Sequence, residues 1–368
     1  LFRAGRVDAD GGVELGLGGL QHLLENFLVR DALGARHLLL QGQLELPLAG
    51  RFQADNALVA AGLAMACGAG RDEALAAKWE TIRDVRRVVT GALVSRVLIE
   101  GGRAVGVEYR QGGAIRQVRA GREVLLSAGA LLSPQLLMLS GVGPAAHLQQ
   151  HGIPVLHDLP GVGQHLHDHP DVVQVLDAPE LKDLFGLSLS GMAQTVRGII
   201  EWRKHRTGML TTNFAEAGGF IKSDPSEAVP DLQLHFVIGK LVDHGRKTVF
   251  GHGYSAHVCL LQPKSRGSVT LASRDPMALP LVDPNFLADP DDMARMVRGF
   301  KRTREILMQP ALAKFGAKEL AASASARTDA EIEQFIRQYA DTIYHPVGTC
   351  RMGPGPMAVV DAELRVHG

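Results

Sequence analysis

The residues best suited to chemistry lie near the carboxyl end, in Tyr344-His345-Pro346-Val347-Gly348-Thr349-Cys350-Arg351-Met352-Gly353. Pro346 fixes its own φ and has no backbone N–H, and Gly348 permits a close turn. The segment therefore predicts one imidazole, that of His345, held on a stiff, non-helical backbone. Histidine is the side chain best suited to moving protons near neutral pH. Taken alone, His345 is open to a structural interpretation as well as a catalytic one.

A second polar cluster contains His165, His167, Asp168 and His169. Their alternate spacing would place the three histidines on one face if the segment were a strand. Metal binding is one interpretation, but the ligand spacing of structural zinc sites is missing and no cysteine lies nearby. We favour a loop that packs against a cofactor or the sheet, and we predict no metal site.

The composition excludes several classes of protein. The chain has 368 residues, of which 46% are apolar and 21% charged, as in soluble globular proteins large enough for two domains. Lys+Arg and Asp+Glu both number 39, so charge favours neither a nucleic-acid partner nor an anionic membrane, and we expect no membrane span. Cys67, Cys259 and Cys350 suggest a reducing compartment, and the absence of a signal segment leads us to expect a cytoplasmic protein. Both ends of the chain look cut.

The flanking sequence predicts the elements that hold these residues. Two β-rich runs joined by Glu100-Gly101-Gly102-Arg103 predict a hairpin over residues 92–109. Residues 123–126 predict a buried strand that enters the turn Ser127-Ala128-Gly129, after which Ser133 caps a helix with Pro134 in its first position. The small turn residues either admit a ligand to the backbone or let helix and sheet pack closely.

The second half predicts an antiparallel sheet with helices on one side. The predicted strands cover residues 231–237, 254–260 and 265–271, and the predicted helices cover residues 192–206, 290–308 and 329–340. Asp289 with Pro290 is predicted to cap the second of these helices, and Thr328 with Glu331 to form a capping box for the third. Two further helices are predicted at residues 20–40 and 57–66, in a segment without a recognisable motif.

Several motifs resemble the glucose-methanol-choline (GMC) oxidoreductases, in the choline dehydrogenase-like and alcohol dehydrogenase branch. Residues 123–144 resemble the second signature of that family. The other matching motifs follow in the family's order: Leu159-Pro160-Gly161-Val162-Gly163-Gln164, Asp168-His169, Ser265-Arg266-Gly267, the His345 segment, and Val359-Val360-Asp361. The resemblance covers roughly residues 88–368, and its several ordered motifs make it specific.

The resemblance implies an α/β and α+β fold. It combines part of a doubly wound FAD-binding domain with a substrate domain, which has an antiparallel sheet and flanking helices. We assign residues 88–171 to the FAD-binding domain, 172–343 to the substrate-binding domain, and 344–368 to a segment returning to the FAD domain. Residues 1–87 do not match the family and stay unassigned.

The resemblance also implies FAD-dependent oxidation of an alcohol to an aldehyde or ketone. His345 matches the histidine that takes the hydroxyl proton as hydride passes to flavin N5, while the cofactor carries the redox chemistry. Val94 resembles a valine on the adenine side of FAD, and Ser127, Ala128 and Gly129 resemble the turn along its ADP half. The implied partner is a small-molecule alcohol. The resemblance does not specify the electron acceptor, so it does not distinguish an oxidase from a dehydrogenase.

Three departures from the family leave alternatives open. The family's N-terminal G-x-G-x-x-G is absent. The family's second catalytic His or Asn would lie beyond the end of the chain. Residues 1–86 do not resemble the aromatic- and asparagine-rich segment that the family has there. We hypothesise a reading-frame error or divergent splice upstream of Val88, which an intact, supported frame in resequenced DNA would refute. The chain could thus be an incompetent fragment that binds FAD weakly or not at all; a hydroxynitrile lyase is a third possibility. At the positions of His165 and His167 the family more often carries Asn and Gln, and this difference slightly favours metal binding.

Glu216, in Asn213-Phe214-Ala215-Glu216-Ala217-Gly218-Gly219-Phe220, bears on which alcohol is used. This carboxylate could pair with a cationic head group such as that of choline. We favour a structural carboxylate, because partly buried carboxylates usually serve pairing. The aromatic content of 5% also gives no sign of an aromatic cage, so primary aliphatic alcohols stay open as substrates.

Overall fold

An antiparallel hairpin opens the part of the chain, residues 89–368, that the computed structural model describes. It consists of β1 (Ala92–Glu100) and β2 (Arg103–Gln111). Gly101 and Gly102 have φ angles of 56° and 74°, as a two-residue type I′ turn requires. This confirms the predicted hairpin, and β3 (Ala114–Arg119) adds an unpredicted third strand. The predicted helices at residues 20–40 and 57–66 and the unassigned segment 1–87 lie outside the described residues.

The helix after the small-residue turn begins earlier than predicted. Helix α1 spans Gly129–Leu139, so Pro134 lies inside it and Ser133 is not its N-cap. The Ser133 hydroxyl instead accepts a hydrogen bond from the Ala128 N–H at 3.1 Å. The strand predicted at residues 123–126 is wrong as well, since it pairs with no strand in the described part of the chain. An apolar run becomes a strand only where a partner satisfies its backbone groups.

Pro134 leaves one carbonyl of α1 without its usual donor. In an α-helix the N–H of residue 134 would bond to the carbonyl of Ala130, but proline has no N–H. The hydroxyl of Thr349, which is buried, donates to that carbonyl instead. The segment that carries His345 therefore completes the hydrogen bonding of α1.

Short elements and one large sheet form the remainder. Between α1 and the sheet lie β4 (Val142–Gly143), α2 (Ala145–Gln150), β5 (His157–Asp158) and β6 (Gln164–Leu166). The later strands are β7 (Pro170–Asp177), β8 (Gly186–Leu187), β9 (Ala215–Ile221), β10 (Leu232–Val237), β11 (Gly251–Leu260), β12 (Gly267–Thr270), β13 (Leu281–Asp283), β14 (Lys318–Glu319) and β15 (Asp341–Thr342). The later helices are α3 (Leu189–His205), α4 (Pro290–Leu307), α5 (Pro310–Ala313), α6 (Ala321–Ala324) and α7 (Asp329–Tyr339).

The large sheet is antiparallel, with strand order β14-β7-β11-β10-β9; β15 also pairs with β7, and β8 with β11. A smaller sheet has the order β13-β12-β6, and β4 pairs with β5 in parallel. The mixed α/β fold class is thereby confirmed, as are the predicted strands at β10, β11 and β12. Within the described residues, no helix is both long and apolar enough to cross a bilayer.

The two faces of the large sheet differ in chemistry, because side chains alternate along each strand. One face packs against α4 and α7, and its core contains Leu232, Val258, Leu260, Met296, Phe300, Ile332 and Ile336. The register pairs His235 with His257 and Asp171 with Cys259, which places these four residues together on the opposite face. We call this second surface the polar face.

The starts of α4 and α7 follow their predicted signals. Asp289 caps α4, with its side chain accepting from the Asp291 N–H, and Pro290 takes the first helical position. Thr328 and Glu331 form the predicted capping box of α7. Helix α3 ends one residue before Arg206, which adopts a left-handed φ of 60°.

Candidate active site

The His345 segment docks edge to edge on the segment that follows β6. Val347 and His167 exchange two backbone hydrogen bonds, of 2.8 and 2.9 Å. Gly348 has a φ of 96°, and a Cβ at this position would lie 2.2 Å from the carbonyl oxygen of His165. Both the backbone angle and the close approach therefore require glycine here.

The carboxylate of Asp168 holds the backbone around His345. Its Oδ1 accepts hydrogen bonds from the His169 N–H at 2.8 Å and the His345 N–H at 2.9 Å, and its Oδ2 accepts from the Thr342 hydroxyl. Asp168 is 8% exposed, and hydrogen bonds to a charged acceptor are stronger than neutral ones. The Thr342 oxygen in turn accepts from the Tyr344 N–H at 2.7 Å. These bonds fix Tyr344 at a φ of 67°, which is unfavourable for a residue with a side chain.

The imidazole of His345 is exposed and meets the ring of His169 edge to face. The ring centroids lie 5.4 Å apart at an angle of 71°. Burial, and then the neighbouring His345, lower the pKa of His169 below its ordinary value. His169 is therefore neutral at pH 7, and a neutral imidazole both donates and accepts one hydrogen bond.

A cavity of about 270 Å³ lies beside Tyr344, against the polar face. Two imidazoles, those of His235 and His257, and the amide residue Asn213 border it together with apolar side chains. The apolar part of the lining comes from Phe214, Ala215, Val237, Leu241 and Ile343. The lining contains no carboxylate, so the cavity suits a small, mainly apolar molecule with a hydrogen-bonding group.

His257 is paired with a fully buried carboxylate. Its Nδ1 lies 2.6 Å from Oδ2 of Asp171, and the two side chains are 3% and 0% exposed. The rings of His235 and His257 lie 6.4 Å apart, nearly perpendicular. Burial lowers the pKa of His235, and the negative charge of Asp171 partly opposes this shift. Burial raises the pKa of the Cys259 thiol to about 12. His235 is thus neutral at pH 7, and Cys259 is a protonated thiol rather than a nucleophile.

The residues predicted to contact FAD lie on β1 and at the start of α1. Val94 is half-buried and faces Tyr109 across the hairpin. Ser127, Ala128 and Gly129 are exposed. Gly129 has a φ of 77°, and a Cβ there would meet no atom within 4 Å, so its backbone angle rather than crowding requires glycine. The hydrogen bond from Thr349 to Ala130 joins this turn to the His345 segment.

Glu216 stands apart from the cavity. It is exposed and occupies the irregularity where the register of β9 and β10 shifts. Its neighbour Ala215 borders the cavity, whereas Glu216 does not.

The three histidines of the second polar cluster do not form one face of a regular strand. Strand β6 ends at Leu166, and His165 has a left-handed φ of 61°. Nε2 of His165, Nε2 of His167 and Nδ1 of His169 are buried without a hydrogen-bond partner within the described chain. In residues 89–368, no group of three or more His, Cys, Asp or Glu side chains is arranged to hold a metal ion.

Sequence reasoning did not identify the roles of Asp168, Asp171, His235 and His257. One signal was present: in β10 and β11 the histidines fall on the polar half of an alternating pattern, opposite the residues that enter the core. The pairing of these histidines depends on the register between strands that lie far apart in the chain.

Comparisons with known proteins show the family to which the chain belongs. Two GMC oxidoreductase family models match the chain, the N-terminal one at residues 61–171 and the C-terminal one at residues 263–368. The first match begins before Val88, where the predicted resemblance starts. An alcohol dehydrogenase [acceptor] from Pseudomonas putida is 46% identical over 283 residues, covering 76% of this chain and 51% of the relative. An oxygen-dependent choline dehydrogenase from Chromohalobacter salexigens is 41% identical over 281 residues, covering 76% and 50%.

The solved structures give the same relationship. Formate oxidase of Aspergillus oryzae, a protein in which FAD modification has been examined, matches with a TM-score of 0.67 and 27% identity, over 75% of this chain and 53% of that one. The chain spans about half the length of the curated relatives it matches. Together the two family models cover more than half of the chain, in the order predicted from its motifs, and the chain belongs to the GMC oxidoreductase family.

Proposed function

We propose that the protein oxidises the CH–OH group of an alcohol to an aldehyde or ketone, with FAD as its cofactor. The observation that carries the proposal is the position of His345. Its backbone is held by Asp168, and the preceding residue, Tyr344, borders a cavity lined by His235 and His257. The relatives named as alcohol and choline dehydrogenases support the same reaction class.

The residues of the chain fit a flavin in two respects. The exposed turn of Ser127, Ala128 and Gly129 lies at the start of α1, where backbone N–H groups favour a phosphate, and Val94 lies on β1. Buried Nε2 atoms of His165 and His167 without a partner in the described chain are donors and acceptors that a polar ligand can satisfy. When bound, FAD would supply the hydride acceptor at its N5 atom.

His345 receives the hydroxyl proton of the alcohol in this proposal. A general base must be neutral and within hydrogen-bond reach of the proton it removes. Asp168 and Pro346 restrict the backbone on either side, so the backbone of His345 is held beside Tyr344, which borders the cavity. The neutral ring of His169 packs against it without adding a second positive charge.

A catalytically incompetent chain that binds FAD weakly or not at all is the second candidate. The spectrum of the purified chain after incubation with FAD separates the two. Bound flavin that survives gel filtration supports a cofactor-binding chain, and a colourless protein supports the incompetent one.

The role of His345 is tested in the full-length protein by reduction of a dye with a panel of alcohols. Because a positioned base contributes about 10²–10⁴-fold, His345→Ala should lower kcat by that factor. His205→Ala, at the exposed end of α3, is the matched control and should leave kcat unchanged. Equal turnover in the His345→Ala variant and the wild type would remove His345 from this role.

A further inference from the structure

We propose that helix α3 binds the surface of a bilayer that contains anionic phospholipid, with the helix axis in the plane of the membrane. The inference goes beyond the proposed function, because no residue of α3 borders the cavity beside Tyr344. It depends on three observations: the side of α3 that packs on the protein, the side chains on the opposite side, and the charges that flank them.

Helix α3 packs on the protein through its glycines. Gly191 and Gly198 are its buried residues, and Gln194 between them is half-buried. A Cβ at Gly191 would clash with the carbonyl oxygen of Gly186, and one at Gly198 would lie 2.8 Å from Cγ of Met209. Residues spaced by three and four share one side of a helix, so the glycines define the side that faces the protein.

The opposite side of α3 is apolar and exposed. At about 100° per residue, its large apolar side chains fall within about 120° of the circumference, centred opposite Gly191 and Gly198. These side chains, which we call the apolar stripe, are 43% to 88% exposed: Leu189, Met192, Val196, Ile199 and Ile200. A surface helix of a globular protein normally turns such a stripe toward the core. Here it faces outward, which indicates a surface for an apolar partner.

Exposed apolar side chains also lie beside the start of the helix. Leu187 of β8 and Phe250 form a β-bridge next to Ser188, the N-cap of α3, and both side chains are exposed. Single exposed apolar residues are common on proteins, but a set concentrated on one helix and its entry is not. The bridge therefore adds to the surface that the apolar stripe presents.

Positive charges flank the apolar stripe. Arg197 and Lys204, seven residues apart, lie along one border, and Arg203 lies at the carboxyl end. Glu201 is the only carboxylate of α3. Lys+Arg and Asp+Glu are equal in number over the whole chain, so this excess of positive charge is local. It complements an anionic surface.

A bilayer fits this combination better than a second copy of the chain. Two copies of α3 packed face to face would bring like charges together, which disfavours the pair. Anionic headgroups instead match the basic border, while the acyl chains receive the apolar stripe. Trp202, with the guanidinium of Arg206 4.3 Å from its ring centroid, suits the interfacial region. With 17 residues and a basic last turn, α3 lies on a bilayer rather than across it.

Co-flotation of the full-length protein with vesicles tests the proposal. Vesicles of phosphatidylcholine with about one quarter phosphatidylglycerol are compared with vesicles of phosphatidylcholine alone, at about 0.1 M salt. Each Lys or Arg near an anionic surface is worth about fivefold in affinity. We expect the partition coefficient to be at least about tenfold higher on the anionic vesicles. Salt at about 1 M, which shortens the Debye length to about 3 Å, should remove that difference.

Val196→Asp places a charge in the middle of the apolar stripe. It should lower the partition coefficient on anionic vesicles at least about tenfold, because one apolar contact is lost and a carboxylate meets the headgroups. Val229→Asp is the matched control, since Val229 is 51% exposed against 56% for Val196 and lies outside α3. Its partition coefficient should stay within about twofold of the wild type.

Arg197→Gln with Lys204→Gln tests the basic border. The pair should lower the partition coefficient on anionic vesicles at least about tenfold and leave that on phosphatidylcholine unchanged. Arg110→Gln with Arg116→Gln is the matched control, because both arginines are exposed on β2 and β3, and it should change neither value.

Equal partitioning of the wild type onto both kinds of vesicle, or no flotation with either, would overturn the proposal. A dimer that Val196→Asp dissociates, seen by analytical ultracentrifugation without lipid, would assign the apolar stripe to a second copy and overturn it as well. Where Val196→Asp does not fold, the two vesicle compositions and the variants of the basic border decide.

Discussion

Replacing Asp168 tests whether one carboxylate fixes the segment that carries His345. Asp168→Ala leaves the backbone N–H groups of His169 and His345 without their acceptor and the Thr342 hydroxyl without its own. A buried donor left unsatisfied costs about 1–3 kcal/mol, so three such losses predict a decrease of at least about 3 kcal/mol in the free energy of unfolding. Asp168→Asn keeps one acceptor oxygen and should cost about 1–2 kcal/mol, since it loses the charge that strengthens the bonds.

Urea unfolding followed by far-UV circular dichroism measures these free energies. Asp275→Ala is the matched control, because Asp275 is exposed and accepts one local hydrogen bond, from the Met277 N–H at 3.0 Å. Its removal should cost about 0.5–1 kcal/mol. If Asp168→Ala costs no more than this control, the carboxylate does not hold the segment and the rigidity assigned to His345 is wrong.

Three further predictions concern single side chains. Thr349→Val should lower the free energy of unfolding by about 1–3 kcal/mol, because the Ala130 carbonyl loses its donor, whereas Thr349→Ser should stay within about 1 kcal/mol; equal losses in the two variants would contradict the bond. His165→Asn should raise the free energy of unfolding slightly and His165→Val should lower it by about 1–2 kcal/mol in urea unfolding, because the left-handed φ of 61° tolerates Asn better than a β-branched side chain; the reverse order would refute this. Cys259, whose pKa burial raises to about 12, should be alkylated at pH 8 far more slowly in the folded chain than in urea, as peptide mass spectrometry would show; equal rates would refute its burial.

Local signals predicted those parts of the fold that local chemistry decides. The two glycines of the first hairpin turn, the Asp289 cap and the capping box of Thr328 and Glu331 all act within a few residues, and each lies where it was predicted. Residues 123–126 were predicted wrongly, because an apolar run shows burial but not whether a partner strand is present. Likewise, Ser133 and Pro134 resemble a helix start, yet a side chain more than two hundred residues away lets the helix begin at Gly129.

Local sequence patterns indicated the segment that carries His345, but not which distant residues pack beside it. The spacing of His345, Pro346 and Gly348 marked the segment, and the close approach of Gly348 to His165 explains why glycine is needed there. The pairing of His257 with Asp171 depends on the register of β7 and β11, which no local pattern encodes. Glu216 is exposed and does not border this cavity, and a role for it toward a substrate stays a prediction.

The hydrogen bond from Thr349 to Ala130 also determines when the site matures on the ribosome. The two residues are 219 positions apart. At a synthesis rate of about 5–20 residues per second, the ribosome needs roughly 10–45 s to add the intervening chain. Throughout that interval the nascent α1 lacks the donor for the carbonyl that Pro134 leaves open. The turn of Ser127, Ala128 and Gly129 and the segment of His345 therefore cannot be joined by this bond before Thr349 has been synthesised.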